Sequence, residues 1–249
     1  MRATTCTPRA MPGATRLLAV QLGMVLAWSS GFVGYRYAME QAPVFLTSFW
    51  RFAVCLALLL PFAWAGLRRL SARQWRRQAL IGVLAYAGYI APIAKAIELG
   101  VSPGVAALMA DLLPLLGMLA LALATLLQKR WDDAPGSLAV VLFVQIGAAL
   151  PAFAGLALAE GSLRPPLSGG FLFGLAWLVL LPTFGGYGLY WLGLRHLSAQ
   201  GGSAALYLSP ALTLLWAHWM FAEPLTPMLL GGLLLSLAGL GWLYRAERR

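Results

Sequence analysis

The chain has 249 residues, of which 61% are hydrophobic and only 10% are charged, and its mean hydropathy is +0.78. A soluble domain carries about 25% charged residues, so a water-soluble globule is excluded, as are disordered and disulfide-scaffold proteins. The net charge of +10 is also typical of nucleic-acid-binding proteins, but the basic residues here lie in short clusters between apolar runs. The composition therefore predicts a membrane protein whose partner is the lipid bilayer and not nucleic acid.

Eight apolar segments are each long enough to cross a bilayer as a helix, which takes about 20 residues. Helices are expected because backbone polar groups in lipid must be hydrogen-bonded within the protein, and the segments lack the alternation of β-barrel strands. Too few residues remain between them for a further folded domain. The predicted spans, in chain order, are 17–39, 44–66, 79–97, 103–127, 137–159, 170–193, 203–221 and 227–244.

The positions of lysine and arginine predict the orientation of these spans. When the N-terminus is placed inside, fourteen of the 18 basic residues fall in cytoplasmic pieces and only Arg164 falls in an outer loop. Arg36 and Lys95 lie near the outer ends of their spans, and Arg51 lies within the second span. Eight crossings return the chain to its starting side, so we expect a multi-pass protein of the bacterial inner membrane with both termini cytoplasmic.

The sequence also contains an internal repeat. With a shift of 98 positions, Gly88-Tyr89 aligns with Gly186-Tyr187, and both pairs are followed by an Ala-Ala-Leu run at the same distance. The matched segments are three crossings apart, so the two copies run through the membrane in opposite directions. Inverted repeats are typical of secondary transporters, whose solute site lies near the midplane between the halves. The predicted fold is an all-α polytopic bundle of about eight transmembrane helices with an inverted internal repeat.

Five short motifs occur along the chain, each weak alone in so biased a composition but specific in this order. They are W-S-S-G-F at 28–32, W-R-F at 50–52, T-L-L-Q-K-R at 125–130, A-A-L-Y-L-S-P at 204–210 and F-A-E-P-L-T at 221–226. Together they resemble the EamA-type transporters of the drug/metabolite transporter superfamily, across nearly the whole chain.

The resemblance implies a carrier that exports a small organic metabolite, amino acid or drug by alternating access, without a cofactor or a metal. Members of this family have ten helices arranged as five plus five, whereas only eight spans are predicted here. No counterpart of the 221–226 motif follows Pro114, so the end of helix four, helix five and the start of helix six are expected to be missing. The expected organisation is a cytoplasmic tail 1–16, a shortened first half 17–127 that is fused to the second half near 117–125, a second half 128–244 and a cytoplasmic tail 245–249.

The missing helices leave two alternatives open, a shortened family member that no longer transports and a half-competent carrier that works only as a homodimer. An intramembrane enzyme is a third alternative, with Ser30 and His218 as its best pair. However, Trp28 stands where a G-x-S-G motif needs glycine, and an H-E-x-x-H motif is absent. We therefore predict that the protein is not an enzyme.

Two charged residues within the spans are candidates for solute binding or ion coupling, because a charge in hydrocarbon costs roughly 2.5–3.5 kcal/mol on insertion scales. Asp111 is expected about 12 Å from the outer end of span 4, where it titrates a proton or pairs with a cation. A structural salt bridge to Lys95 or Arg51 is the alternative for Asp111. Arg51 is expected to bind an anionic group such as a carboxylate, or to fix helices together through an ion pair or backbone carbonyls.

The remaining candidates are polar and aromatic residues in the middle of the spans. Two serines and a glycine after a tryptophan let span 1 bend and expose backbone groups to a cavity, although small residues also permit close helix packing. Aromatic rings beside glycines in span 6 suit an amphipathic or aromatic solute, and a proline in span 7 leaves a carbonyl free. These candidates are Trp28, Ser29, Ser30, Tyr187, Tyr207 and Pro210.

Overall fold

A computed structural model describes residues 14–108, 111–131, 137–196 and 205–247. Within these ranges the chain is helical, with short connections and no strand. Two helices, α3 and α7, each contain a π-helical segment, at Val83–Gly88 and Val179–Tyr187. The helices are α1 (Ala14–Ala38), α2 (Val44–Leu67), α3 (Ala72–Gly82 continued by Tyr89–Glu98), α4 (Pro103–Ala107), α5 (Leu112–Trp131), α6 (Leu138–Ala159), α7 (Gly169–Leu178 continued by Gly188–His196), α8 (Ser209–Phe221, after a 3-10 turn at Ala205–Leu208) and α9 (Pro227–Glu247).

Five helical stretches in the described residues are long and apolar enough to cross a membrane. They confirm the predicted class, an all-α multi-pass membrane protein, and their positions agree with the central five predicted spans. The stretches are Val44–Leu67, Ala72–Glu98, Pro103–Trp131, Leu138–Ala159 and Gly169–Leu194.

The fourth predicted span is divided into two helices. The short helix α4 ends at Ala107, and α5 begins at Leu112. Residues 109 and 110 between them lie outside the described residues. The predicted span 103–127 still falls within Pro103–Trp131, which is long and apolar enough to cross a membrane. Leucine-rich composition predicts such a span but does not reveal that the helix α4 ends at Ala107.

The inverted repeat is visible in the shapes of α3 and α7. Shifted by 98 positions, the range 72–98 of α3 becomes 170–196, which agrees with the bounds of α7 to within one residue. The π-helical segment of α3 falls inside that of α7 under the same shift. A π-helical segment is rare and is frequently found at functional sites, so its presence at equivalent places in both helices is a strong sign of common origin.

The two halves of the chain are interleaved in the bundle. Helix α2 of the first half packs along α6 of the second, and α1 lies against α7 and α8. Helix α3 packs on both α5 and α6, while the short α4 lies against α8. The inner face of α1 and the π-helical segment of α7 therefore meet at the centre, where the candidate site lies.

Candidate functional site

The centre of the bundle is an aromatic cluster around Trp28 of α1. Its indole ring lies 5.6 Å from the ring of Tyr89, 4.7 Å from that of Tyr187 and 5.4 Å from that of Tyr190, measured between centroids. The indole Nε1–H donates to the Tyr89 hydroxyl at 2.9 Å. Tyr89 and Tyr187 are equivalent positions of the two repeats, so Trp28 is held between matching residues of both halves.

The π-helical segment of α7 places two hydroxyl groups in this region. The Thr183 hydroxyl donates to the Leu178 carbonyl five residues earlier, at 2.7 Å, where Pro182 has no N–H to offer. The Tyr187 hydroxyl crosses to α3 and donates to the Ala85 carbonyl at 2.6 Å. The widened helical turns therefore leave backbone carbonyls free to accept hydrogen bonds from side chains. The bond from Tyr187 also joins α7 to α3.

Arg51 of α2 is the buried cation of the site, with only 2% of its surface exposed. Its Nε donates to the Thr183 hydroxyl at 2.7 Å, and its Nη1 donates to the Tyr35 hydroxyl at 3.1 Å. The guanidinium also lies 5.1 Å from the ring centroid of Phe52. Its hydrogen-bond partners are neutral, and among the described residues its guanidinium forms no ion pair with a carboxylate.

A small cavity lies between Arg51 and the aromatic cluster. Its volume is about 30 Å³, which is room for about two water molecules. Four helices, α1, α2, α3 and α7, line it, and none of the lining residues that the structure describes is acidic. The lining residues are Trp28, Gly31, Phe32, Tyr35, Arg51, Tyr89, Ile90, Ile93, Pro182 and Tyr187.

Of the predicted site residues, Trp28, Arg51 and Tyr187 come together at this cavity. Ser29 and Ser30 lie beside it but not on it, since their hydroxyls donate to the carbonyls of Leu26 and Ala27 of the same helix. Their own backbone carbonyls accept hydrogen bonds from neighbouring helices. The indole N–H of Trp177, for example, donates to the Ser30 carbonyl at 3.1 Å. The two serines therefore contribute helix packing in this structure.

Pro210 and Asp111 are not among the described lining residues of the cavity. Pro210 is buried in the first turn of α8, which packs on α1. Tyr207 lies in the preceding 3-10 turn, and its side chain is outside the described residues. Their part in solute binding stays a prediction.

Asp111 occupies the beginning of α5. It is half-buried, and its carboxylate accepts a hydrogen bond from the Leu113 N–H at 3.2 Å. A carboxylate in this place satisfies a free N–H of the first turn and complements the positive end of the helix dipole. The two salt bridges considered for Asp111 do not form within the described residues, because Lys95 pairs with Glu98 and Arg51 donates to hydroxyls.

Two polar clusters lie on opposite sides of the aromatic centre, towards the two ends of the bundle. The first cluster consists of three glutamines. Gln145 Nε2 of α6 donates to Gln78 Oε1 of α3 at 2.7 Å and to Gln128 Oε1 of α5 at 3.2 Å. Gln78 and Gln145 are buried, so their amide groups depend on each other for hydrogen bonds. This glutamine cluster holds α3, α5 and α6 together at one end.

The second cluster joins two glutamates at the beginning of α2. Pro43 precedes this helix and offers no side-chain cap, so the first N–H groups need other partners. Glu160 at the end of α6 accepts from the N–H groups of Phe45 and Leu46 at 3.0 and 3.2 Å, and Glu98 accepts from Val44 at 3.4 Å. This glutamate cluster connects the ends of α3 and α6 to the start of α2.

Glu160 is expected to make the stability of this end depend on pH. Burial of its carboxyl and the nearby Glu98 carboxylate raise its pKa above 4.5, while the two N–H donors and Lys95 oppose the shift. The folded protein therefore holds this proton to a higher pH than the unfolded chain, and its stability falls as the pH rises through that window. The thermal unfolding midpoints of the native protein and of Glu160→Gln are compared in detergent. The native midpoint should rise relative to that of Glu160→Gln as the pH is lowered from 7 to 5. A difference that is constant or decreases would contradict the prediction.

Several residues of the site were not among the predicted candidates. The repeat shift pairs Tyr89 with Tyr187, so the sequence contained a signal for Tyr89. Tyr35 and Thr183 carried none, because their importance comes from a contact with Arg51 across long sequence separations. Gln78 also carried no signal in the sequence, because its role depends on its hydrogen bond with Gln145.

A helical bundle with inverted repeats and a cavity with a buried cation between its halves is the architecture of a membrane transporter. A family model described as the EamA-like transporter family matches the chain twice, over residues 16–126 and 108–245. The chain therefore belongs to the EamA-like transporter family, within the drug/metabolite transporter superfamily, as its motifs predicted. Searches of the curated proteins and of the solved structures found no match.

The two family matches overlap over 108–126. The first copy contains α1 to α4 and most of α5, whereas the second contains α5 to α9. Residues 108–126, which include most of α5, are therefore matched by both copies.

Proposed function

We propose that the protein is a secondary transporter that exports a small organic metabolite, amino acid or drug by alternating access, through the cavity beside Trp28. One observation carries the proposal. The cavity lies where the two halves meet, and the equivalent residues Tyr89 and Tyr187 of the inverted repeats both line it. Such a place between inverted repeats is where secondary transporters bind their solutes. A catalytic role is not part of the proposal.

The two polar clusters are suited to act as the gates of this transporter. The glutamine cluster and the glutamate cluster each join helices of the two halves by hydrogen bonds. Both clusters are formed in the present structure. Opening at one end requires the loss of one cluster while the other keeps the halves together.

The proposed location is the bacterial inner membrane, with both termini in the cytoplasm. Basic residues concentrate at one end of the bundle, on the loop between α2 and α3, the start of α3 and the end of α5. Arginine and lysine are enriched in cytoplasmic loops, which supports this end as the cytoplasmic one. The glutamate cluster then lies at the outer side.

Accessibility of a cysteine placed in the cavity tests alternating access. Cysteine is introduced by Ile93→Cys, at a buried position of the lining, in a chain from which Cys6 and Cys55 have been removed. We expect a membrane-impermeant methanethiosulfonate reagent to label this variant both in right-side-out and in inverted vesicles, because the cavity opens in turn to each side. Leu58→Cys is the control, since Leu58 is 49% exposed on the outer surface of α2 and faces lipid, where the reagent does not react.

Each contrary result has a definite meaning. Labelling from one side only would contradict alternating access. The absence of labelling from either side would favour the shortened, transport-deficient alternative. Labelling that depends on the amount of protein per vesicle would favour the carrier that works only as a homodimer.

A further inference from the structure

Arg51 is distinguished from the other cations of the bundle by its surroundings. Arg36 pairs with Glu40 at 2.6 Å, and Lys95 pairs with Glu98 at 2.5 Å, each at the end of a helix. Arg51 is 2% exposed in the interior and donates to the hydroxyls of Thr183 and Tyr35. In the described part of the chain its charge is therefore hydrogen-bonded but not neutralised.

A buried cation of this kind is costly, and the cost points to a ligand. An arginine within a transmembrane helix is unfavourable on insertion scales, because its charge has left water. Hydroxyl groups orient their dipoles toward the charge but do not remove its field, which is strong at low dielectric constant. The cavity next to Arg51 therefore has a positive potential, and an anion that enters it gains a charge-assisted hydrogen bond.

The walls of the cavity determine what else the anion carries. The rings of Trp28, Tyr89 and Tyr187 form one side, and a flat aromatic ring packs well against such surfaces. None of the lining residues that the structure describes is acidic, so an ammonium group on the solute would find no carboxylate to pair with and would lie beside the Arg51 cation. The lining therefore favours an aromatic solute with a single negative charge over a zwitterion or a cation.

We propose that the transported solute is an aromatic monocarboxylate, whose carboxylate pairs with Arg51 while its ring packs against Trp28 and Tyr187. The inference rests on the proposed transport function and specifies its substrate class. The present cavity of about 30 Å³ is too small for such a molecule. The solute therefore enters when the halves separate, and the aromatic residues then close around it.

Equilibrium binding of radiolabelled phenylacetate to the full-length protein in nanodiscs tests the proposal. We expect saturable binding that is at least tenfold tighter than that of phenylacetamide, which has the same shape without the charge. Phenylalanine, which adds an ammonium group, should compete at least tenfold more weakly than unlabelled phenylacetate. Chloride, which has the charge without the ring, should compete only at concentrations at least a hundredfold higher than those at which unlabelled phenylacetate competes.

Variants then assign the charge effect to Arg51. Arg51→Met should weaken phenylacetate binding at least tenfold and abolish the preference over phenylacetamide, while Arg51→Lys should keep part of that preference. Arg36→Met removes an arginine that pairs with Glu40 away from the cavity, and it should leave the preference unchanged. The ligand comparison on the native protein decides the question even if Arg51→Met does not fold.

The proposal would be overturned by no saturable phenylacetate binding, by equal affinity for phenylacetamide, or by a retained preference in folded Arg51→Met. Competition by chloride at the same concentrations as phenylacetate would equally overturn it, since the ring would then contribute nothing. These failures are distinct from failure of the proposed function. Cysteine labelling from both sides of the membrane uses no ligand, so it can succeed when the substrate class is wrong.

Discussion

Gly82→Ala is expected to destabilise the protein by about 3 kcal/mol. A methyl group at this position would lie 2.2 Å from the Gln145 carbonyl oxygen and 2.4 Å from the Gln145 Cα. Both are backbone atoms of α6, so relief requires the whole helix to move away from α3. That shift would also break the hydrogen bond of 2.7 Å between Gln145 and Gln78 and leave the buried amide oxygen of Gln78 without this donor. Overpacking typically costs 1–3 kcal/mol, occasionally more, and the loss of the hydrogen bond adds to it.

The free energy of unfolding, measured by reversible denaturation in mixed micelles, checks this expectation against two alanine variants. Gly155→Ala lies on α6 itself, and its added methyl group would meet no atom within 4 Å, so its effect should be within about 0.5 kcal/mol. In Gly104→Ala the added methyl group would lie 2.3 Å from Leu214 Cδ2, the end of a flexible side chain that can rotate away, so we expect an intermediate loss. A Gly82→Ala protein as stable as Gly155→Ala would show that α3 and α6 do not cross as closely as described.

Trp28→Ala should have an effect of similar size, and it should also abolish transport. The indole packs against three tyrosine rings and donates to Tyr89, so its removal leaves a void between the two halves and an unsatisfied hydroxyl. Truncation of a buried tryptophan costs roughly 3–5 kcal/mol in a well-packed core. In a bilayer this loss is one of packing rather than of hydrophobic transfer, because lipid is as apolar as the interior.

Two further variants separate the void from the loss of an aromatic residue in general. Trp28→Phe keeps most of the volume but not the N–H donor, so we expect it to lose about 1 kcal/mol of stability and to keep measurable solute flux in proteoliposomes. Trp219→Ala removes a side chain that is 78% exposed on the surface of α8, and it should change neither stability nor flux appreciably. Equal losses in Trp28→Ala and Trp219→Ala would contradict a central role for Trp28.

The class of protein, its family and most of its helices could be predicted from the amino-acid order, and the helical fold and the family match confirm these predictions. Apolar runs of about 20 residues have only one stable structure in lipid. The shift of 98 positions likewise predicted which helices are equivalent, and the π-helical segments of α3 and α7 obey it. The orientation in the membrane, the solute and the site residues stay predictions.

The assignment of roles to polar residues was less predictable, as Asp111 and Arg51 illustrate. Both are charged residues within apolar runs, and the sequence offered them as possible partners. The structure places Asp111 at the beginning of a helix and surrounds Arg51 with neutral hydroxyls. The difference depends on where α4 ends and on contacts of Arg51 with residues 16 and 132 positions away, and neither leaves a local pattern.

Segment length and hydrophobicity are thus sufficient to specify a multi-pass helical protein, because the cost of an unsatisfied backbone in hydrocarbon outweighs every local preference. The cavity and the two polar clusters depend instead on how the helices pack. Trp28 packs against aromatic rings of α3 and α7, and Gln145 donates a hydrogen bond to Gln78. The carboxylate of Glu160 accepts from the first N–H groups of α2. Hydrogen bonds and van der Waals contacts act over a few ångströms, so only the assembled bundle determines which groups meet.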